Sequence, residues 1–341
     1  MHEELSIAAT WCHDGTHVAL ARVIATVGSA PRPIGSALVV SDGGLFMGSV
    51  SGGCVEGAVI AAAEDVLATG VAQTLHFAGD ADPLTEIALG CGGEVTIFVE
   101  RIDCDGALSL LFAVLLAWLV AGDACTLVTE CGASPAHWLY ALDGELLSTD
   151  AAYEPGPAAS TQRFGAPLHL VIVGADAVGQ AVAQAAALLN WRVTVIDPRA
   201  AWLNPPRFPH ATRDARWPDE ALRSMTLDDR TAIVVLTHDP KFDEPALLVA
   251  LPSGASYVGA LGSRTANRER LARLQAVGLT ENNLARLHAP IGLDLGGRTP
   301  PEIALSIVAE IIATRNGRDG GPLSAASGPI HAQSTANERI C

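Results

Sequence analysis

The sequence predicts an α/β protein in which an N-terminal mixed α/β domain carrying cysteines precedes a C-terminal Rossmann-like, doubly wound parallel sheet. Two patterns predict the second domain. From Leu168 onward, short apolar runs alternate with helical stretches, as in parallel sheets whose strands are joined by helices. A glycine loop from Gly174 to Gly179 follows the first of these strands, where dinucleotide-binding folds turn from strand into helix.

The first half of the chain, residues 1–150, repeats a pattern of strand, glycine loop and thiol. It opens with a helical stretch, and a second helix is predicted over 55–69, ended by Gly70. Period-two and β-branched patterns predict the strands. The predicted strands are 18–27, 37–40, 46–50, 71–77, 94–100, 126–130 and 138–142.

The second half is predicted to begin after a linker at 151–166, which is rich in Ala, Pro, Gly and Ser. The Rossmann-like domain then spans 167–317, and the polar, aperiodic tail at 318–341 is expected to be disordered. The predicted strands are 168–173, 193–196, 231–236 and 256–260, and the predicted helices are 177–189, 245–251 and 266–277.

Composition limits the function classes. The chain has 341 residues, enough for two domains, and 49% hydrophobic residues, which excludes wholesale disorder. Its net charge of −16 argues against nucleic acid and anionic membranes as partners. A small anionic ligand stays open, because local arginines and backbone amides can hold one against the global field.

The sequence predicts reduced thiols and a cytoplasmic location. It has seven cysteines but no Cys-x-x-Cys pair, and its start at Met1 is acidic and lacks an apolar signal region. The apolar run 107–121 is shorter than the roughly 20 residues that span a bilayer. We therefore expect a buried or interface helix there and no membrane association. An all-round apolar helix must be covered, which favours a homodimer.

Cys54 and Cys91 are the candidate functional thiols, because each stands among glycines that let a ligand approach closely. Cys54 follows Gly52 and Gly53 and precedes a predicted helix, whose positive end favours a thiolate, although the charge of Glu56 opposes it. Cys91 precedes Gly92 and Gly93. A structural alternative is that each is a small residue in a tight turn. The remaining cysteines have no such setting and are interpreted as packing or spectator thiols; they are Cys12, Cys104, Cys125, Cys131 and the tail residue Cys341.

The loop between Gly174 and Gly179 departs from the dinucleotide pattern. Asp176 stands where the middle glycine would let the backbone approach a pyrophosphate, and its charge should repel phosphates. Asp197 ends the next strand, where an acidic residue would meet a ribose. We expect a Rossmann fold that has lost or repurposed its pyrophosphate site and does not bind NAD(P) tightly.

Ser263 and Arg264 follow another predicted strand in a glycine-rich turn, at the edge of the sheet where α/β folds bind ligands. A hydroxyl and a guanidinium suit an oxyanion. The alternative is a helix cap with a surface ion pair.

Five blocks of the sequence resemble the xanthine dehydrogenase accessory protein family, XdhC/CoxI, in the family's order. They are GSAPRPIGSALVV (28–40), GSVSGGCVEGAV (48–59), GCGGEVTIFVE (90–100), YVGALGSRTANRERLARL (257–274) and APIGLDLGGRTPPEIALSIVAEIIA (289–313). The family's glycine loop commonly reads Gly-x-Gly-His-Val-Gly, from which Asp176 and Ala177 depart.

The resemblance implies a protein that binds molybdenum cofactor and protects it. It also implies help with exchange of Mo=O for Mo=S together with a cysteine desulfurase, and delivery to a molybdenum hydroxylase of the xanthine dehydrogenase type. By motif position, Cys54 and Cys91 would face the molybdenum. The phosphate and pterin would be held by Arg32, Gly52, Gly53, Gly92, Gly93, Gly174, Gly179, Ser263 and Arg264.

Three other functions stay open from the sequence. One is a nicotinamide-dependent oxidoreductase using His238 or Lys241 as proton donor. Another is a sulfur carrier with a persulfide on Cys54 or Cys91, and the last is a scaffold without ligand.

Overall fold

The computed structural model describes residues 1–28, 30–78, 92–165 and 167–327. They form two compact units, one ending at residue 165 and the other spanning Pro167–Ser327. No helix among these residues is long and apolar enough to cross a bilayer.

The described residues of the N-terminal unit form two antiparallel sheets and three helices. The first sheet has the order β3-β2-β1-β5-β4, and the second has the order β8-β7-β6-β9. The strands of the first sheet are β1 (Val18–Val27), β2 (Ala37–Ser41), β3 (Phe46–Gly48), β4 (Gln73–Phe77) and β5 (Glu94–Ile102). Those of the second are β6 (Cys125–Glu130), β7 (Ala136–Ala141), β8 (Leu146–Thr149) and β9 (Ser160–Phe164), and the helices are α1 (His2–His13), α2 (Glu56–Thr69) and α3 (Ala107–Ala121).

The first sheet is buried on both faces. On one face, Ala21 and Ile97 pack with Val59 of α2. On the other face, Leu20 packs with Leu127 of the second sheet, and α1 and α3 complete this core. Because neither face meets water, β1 is an almost continuous apolar run rather than an alternating one.

Charged side chains join the two sheets inside this core. Arg22 Nη2 of β1 donates to Glu100 Oε1 of β5 at 2.7 Å and to Thr129 Oγ1 of β6 at 3.2 Å. Glu100 Oε2 lies 2.9 Å from His137 Nε2 of β7, and His137 Nδ1 lies 2.8 Å from Asp150 Oδ2. Burial by itself would lower the pKa of His137, but Glu100 and Asp150 outweigh it and raise the pKa, so the cluster favours a protonated ring.

The segment interpreted as a linker, 151–166, contributes to the second sheet. Its strand β9 pairs antiparallel with β6, from Cys125 opposite Phe164 to Thr129 opposite Ser160. Pairing of an edge strand depends on a partner far away in sequence, which local composition does not reveal. The change from one unit to the other falls at the end of this segment.

The prediction of reduced thiols is wrong for one pair. Cys12 at the end of α1 and Cys104 in the turn after β5 form a disulfide, with their Cα atoms 5.1 Å apart. The two residues are 92 positions apart in sequence, and the packing of α1 against α3 brings them together. Cys125 is a buried core residue, as expected.

The apolar helix α3 is covered on one side. Leu111, Phe112 and Leu115 are buried, whereas Leu110 is 68% and Val120 is 69% exposed. The unit therefore carries an uncharged apolar stripe on its surface.

The C-terminal unit is a Rossmann-like parallel sheet, which confirms the predicted fold class. Its strand order is β12-β11-β10-β13-β14-β15, and the order reverses between β10 and β13. The strands are β10 (His169–Val173), β11 (Arg192–Ile196), β12 (Thr212–Asp214), β13 (Thr231–Val235), β14 (Tyr257–Ala260) and β15 (Leu287–His288). The helices are α4 (Ala177–Ala187), α5 (Pro218–Arg223), α6 (Pro240–Ala250), α7 (Arg264–Ala276), α8 (Glu281–Leu284) and α9 (Pro300–Arg315).

Helices cover both faces of this sheet. Ile172 packs with Val182 of α4 and Ile307 of α9 on one face. Val171 packs with Leu247 of α6 and Leu274 of α7 on the other. Helix α6 starts five residues earlier than predicted, because Asp239 caps it by accepting from the Lys241 N–H at 3.1 Å. Pro245 therefore lies inside the helix.

We expect Arg22→Met to lower the free energy of unfolding by about 3–5 kcal/mol, because it leaves the Glu100 carboxylate buried without its guanidinium. Urea unfolding followed by circular dichroism measures the change. Arg101→Met is the matched control, since Arg101 lies on the same sheet but pairs with Asp103 at the surface. That control should cost less than about 1 kcal/mol. Equal losses in the two variants would contradict the structural role of the buried cluster.

Candidate functional site

The loops that carry the predicted site residues of the N-terminal unit leave the same edge of its first sheet. β1 ends there at Val27, opposite Glu94 where β5 begins. β2 begins there and β3 ends there, with Leu38 opposite Gly48. The loop with Arg32 connects β1 to β2 at this edge, the loop with Cys54 follows β3 there, and Gly92 and Gly93 precede β5 there. We call it the thiol edge.

The Cys54 loop is folded around a carboxylate of its own chain. Glu56 Oε1 accepts from the N–H groups of Ser51 and Gly52, at 2.9 and 3.0 Å, and from Ser49 Oγ at 2.7 Å. Glu56 Oε2 accepts from the Gly53 N–H at 2.7 Å and from Ser51 Oγ. The N–H groups of Ser51, Gly52 and Gly53, which could have held an external oxyanion, are therefore already used.

These bonds keep Glu56 ionised. Partial burial would raise its pKa, but the hydrogen bonds from Ser49 and Ser51 outweigh burial and lower the pKa to about 2. A carboxylate held by several N–H and O–H donors fixes the loop in one conformation. The loop is thus a rigid support rather than a flexible turn.

Cys54 lies on the open side of this loop. It is exposed and not disulfide-bonded, and it immediately precedes Val55, the residue that caps α2. Gly52 and Gly53 have φ of 78° and 118°, and a Cβ at either position would meet nothing within 4 Å. Glycine is needed here for the turn itself, and the absence of side chains leaves room for a bulky ligand beside the thiol.

The other predicted residues of this unit are placed in part. Arg32 is exposed in the β1–β2 loop. Gly28 and Gly93 bring two loops together, since a Cβ on Gly28 would lie 3.7 Å from the Cα of Gly93. Cys91 lies outside the described residues.

In the C-terminal unit, Gly174 and Gly179 make the tight strand-to-helix turn that the sequence predicts. A Cβ on Gly179 would lie 2.1 Å from the Gly174 carbonyl oxygen, and one on Gly174 would lie 3.0 Å from Thr237 Cγ2. Both positions therefore exclude larger residues. They pack α4 closely against β10 and against the loop after β13.

Two carboxylates each accept from one N–H group of this turn. Asp176 caps α4, accepting from the Gly179 N–H at 2.8 Å. Asp197, at the end of β11, accepts from the Ala175 N–H at 2.8 Å and is paired with Arg199. Burial opposes ionisation of Asp197, but Arg199 and the Ala175 N–H hold its pKa below the usual value. Asp197 is 1% exposed, so it does not present the free carboxylate that a ribose would need.

Ser263 and Arg264 lie at the carboxyl edge of the same sheet. Ser263 caps α7, with Oγ accepting from the Ala266 N–H at 3.1 Å, and Arg264 is exposed in the first turn. The capping alternative therefore accounts for Ser263. A buried pair, Arg270 with Asp243 at 2.8 Å, holds this edge together.

His238 follows β13 at the point where the strand order reverses. It is exposed and has φ of 60°, a left-handed conformation that is uncommon outside glycine. Lys241 is exposed, and its Nζ lies 3.2 Å from Asp239 Oδ2 in an ion pair at the surface, at the start of its own helix.

Two residues of these loops have roles that the sequence patterns above do not predict. Glu56 organises the Cys54 loop, and Arg199 is the partner of Asp197. Spacing carries a signal for both. A glutamate directly after a glycine loop and two serines can reach back to N–H groups, as in a capping box. An arginine two residues after a strand-ending aspartate can pair with it locally.

Comparison with known proteins identifies the family. A model described as the XdhC and CoxI family matches residues 11–78, and one described as the XdhC Rossmann domain matches residues 170–311. The chain belongs to the XdhC/CoxI family. The first match includes the Cys54 loop, and the second includes both glycine turns of the Rossmann-like sheet.

Three bacterial relatives align over most of this chain. A protein named molybdenum cofactor insertion chaperone PaoD, from Escherichia coli, is 27% identical over 88% of this chain and 84% of its own length. A protein from Bacillus subtilis, named as a probable subunit of xanthine dehydrogenase, is 26% identical over 89% of this chain and 94% of its own. YqeB from E. coli is 27% identical over 91% of this chain, which spans only 46% of that protein.

A solved structure has the same fold. The structure titled as a xanthine dehydrogenase from Bacillus halodurans superposes with a TM-score of 0.79 at 22% identity, covering 95% of this chain and 98% of that one.

We expect Glu56→Gln to lower the free energy of unfolding by about 1–2 kcal/mol at pH 7, because a neutral amide accepts fewer and weaker bonds in a site partly open to water. Because the pKa of Glu56 is lowered to about 2, its contribution is present above about pH 4.5 and is lost as the pH falls through 2. The stability gap between wild type and variant should therefore shrink below pH 4.5.

Urea titrations at several pH values between 7 and 3 measure this gap. Glu64→Gln, an exposed change on the same helix, is the control and should leave stability nearly unchanged. A gap that does not depend on pH would show that Glu56 does not act as the ionised anchor of the loop.

Proposed function

We propose that this chain binds molybdenum cofactor at its thiol edge, assists sulfuration of the cofactor and delivers it to a molybdenum hydroxylase of the xanthine dehydrogenase type. The observation that carries the proposal is the exposed Cys54 thiol on a loop fixed by Glu56. The relative named as a molybdenum cofactor insertion chaperone supports the ligand class.

Cys54 has the chemistry that the metal end of this cofactor needs. A thiolate is a soft ligand that suits a molybdenum centre already bound by the sulfurs of a dithiolene. In our proposal Cys54 and Cys91 serve this end. Gly52, Gly53, Gly92 and Gly93 provide clearance, whereas the N–H groups of Gly52 and Gly53 are committed to Glu56.

Anionic parts of the cofactor would meet cations rather than the glycine loop. Arg32 at the thiol edge and Arg264 in the C-terminal unit are exposed and suit a phosphate. Ser263, Gly174 and Gly179 contribute by shaping the carboxyl edge of the sheet, since their described contacts are internal.

Sulfuration needs a sulfur donor, and we propose a cysteine desulfurase as the partner that supplies it. The chain would hold the Mo=O form open to that enzyme and release the Mo=S form to the hydroxylase. These partners imply a cytoplasmic site of action. Persulfide formation on Cys54 itself is a variant of this proposal, and a mass shift of the protein after incubation with desulfurase and cysteine would reveal it.

We further propose that α3 forms the contact of a homodimer. Its exposed residues Leu110 and Val120 carry no charge, and burying them against a second copy is favourable.

A nicotinamide-dependent oxidoreductase is the alternative function, and two contacts argue against it. Asp176 and Asp197 already use two N–H groups of the glycine turn, those of Gly179 and Ala175, and Asp176 adds a negative charge where the pyrophosphate would approach. We expect titration with NADH to give no saturable change in fluorescence. Saturable binding would favour the oxidoreductase.

The main test measures molybdenum by elemental analysis after the protein is mixed with cofactor and desalted. We expect stoichiometric retention by wild type and by the control Cys131→Ala, and loss in Cys54→Ala, because only the last removes the exposed thiol. Cys91→Ala shows whether both thiols are needed. If wild type retains no molybdenum, the proposed function is wrong.

A further inference from the structure

An exposed tryptophan lies at the carboxyl edge of the Rossmann-like sheet, where open α/β sheets bind ligands. β11 ends at Ile196, and a single 3₁₀ turn, Ala200–Trp202, follows Asp197 and Arg199. Trp202 is 40% exposed although large aromatic side chains are usually covered. The chain therefore presents a flat aromatic surface at a ligand-binding edge.

Arg199 stacks on the indole ring of Trp202 and holds it in place. The Arg199 guanidinium carbon lies 3.9 Å from the centre of the Trp202 ring, and its Nε and Nη2 donate to Asp197 at 2.9 and 2.7 Å. Asp197 in turn accepts from the Ala175 N–H of the glycine turn. A continuous series of contacts thus links the indole to the turn, so the surface is preorganised.

A second cation flanks the same ring. The Arg207 guanidinium carbon lies 5.9 Å from the ring centre, and Arg207 Nη1 donates to the Trp202 carbonyl at 2.9 Å. Arg207 Nε also donates to Gln180 of α4 at 3.2 Å. Two arginines beside one exposed indole stand out in a chain of net charge −16, and together they favour a ligand that is both aromatic and anionic.

Nearby acids limit how much negative charge the ligand can carry. The carboxylates of Asp176 and Asp239 act on Arg199 and contribute to its raised pKa, after the hydrogen bond to Asp197. Asp176 also uses the helix N–H of Gly179. A diphosphate would meet both carboxylates, and the N–H groups of Ala175 and Gly179 are already used by Asp197 and Asp176, whereas a single anionic group can reach Arg207.

We propose that Trp202, Arg199 and Arg207 form a stacking subsite for a fused-ring nitrogen heterocycle with one anionic tail. A pterin and a purine mononucleotide share this chemistry. For a pterin, the subsite rests on the proposed function and deepens it by adding a ring-binding surface in the C-terminal unit.

Equilibrium dialysis of the full chain with 6-carboxypterin, GMP and NADH tests the subsite. We expect 6-carboxypterin or GMP to bind, and Trp202→Ala to weaken binding about 5- to 150-fold, as loss of one stacking contact does. Trp202→Phe, which keeps an aromatic face, should weaken it less. Trp217→Ala, a change at a similarly exposed tryptophan that packs on Phe242, should leave binding within about twofold.

The probes also distinguish the sources. Tighter binding of 6-carboxypterin assigns the subsite to a pterin, and tighter binding of GMP assigns it to a nucleotide. The proposal is overturned if neither binds, if Trp202→Ala binds like wild type, or if NADH binds more tightly than GMP.

Molybdenum retention by Cys54 variants, measured in parallel, separates this proposal from the function above. Retention that depends on Cys54 without ring binding would refute only the subsite. Ring binding without molybdenum retention would support the subsite and refute the proposed function.

Discussion

Both candidate sites depend on one constraint. The backbone N–H groups of glycine-rich loops need hydrogen-bond partners, and in this chain its own carboxylates supply them. Such loops expose several donors at the start of a helix, and donors without partners are costly. Glu56 accepts hydrogen bonds from N–H groups of the loop before α2, and Asp176 accepts one in the turn before α4. Glu302 does the same before α9, accepting from the N–H groups of Arg298 and Thr299 at 2.9 Å.

This constraint changes what the loops can do. A glycine loop with free donors is an anion site, as in nucleotide-binding folds. Here the chain's own carboxylates accept several of these donors, so each loop is held in one conformation and positions the residues beside it. At the thiol edge, the residue beside the loop is Cys54. At the carboxyl edge of the sheet, the residues connected to the turn are Asp197, Arg199 and Trp202. In our proposals, ligand recognition relies on a thiol, an indole and guanidinium groups rather than on those backbone amides.

Much of the architecture can be predicted from the sequence, because it follows from local patterns. Apolar runs alternating with helical stretches after Leu168 indicate a parallel sheet, and Gly174 and Gly179 indicate its first turn. The glycines around Cys54 are enough to single it out as a candidate thiol. What cannot be predicted depends on contacts between distant segments. Strand β9 needs β6 as a partner, and the Cys12–Cys104 disulfide closes 92 positions.

The role of Glu56 in the Cys54 loop cannot be predicted from the sequence for a more local reason. In the sequence, Glu56 stands out only as a charge that disfavours a thiolate at Cys54, whereas in the structure it reaches back over the loop. From its position, Asp176 is expected to repel phosphate. In the structure it also caps α4, and so it uses the N–H group of Gly179. Whether a carboxylate bonds to the N–H groups at a helix start depends on the direction of its side chain, which cannot be deduced from composition.

The measurement that tests the central claim most directly is X-ray absorption at the molybdenum edge, on protein loaded with cofactor. It counts the sulfur atoms bound to the metal. If the Cys54 thiolate is a ligand, loaded wild type should show one metal-bound sulfur more than the free cofactor, and loaded Cys131→Ser should match wild type. A sulfur count in loaded wild type identical to that of the free cofactor would contradict the assignment of this thiol to the metal.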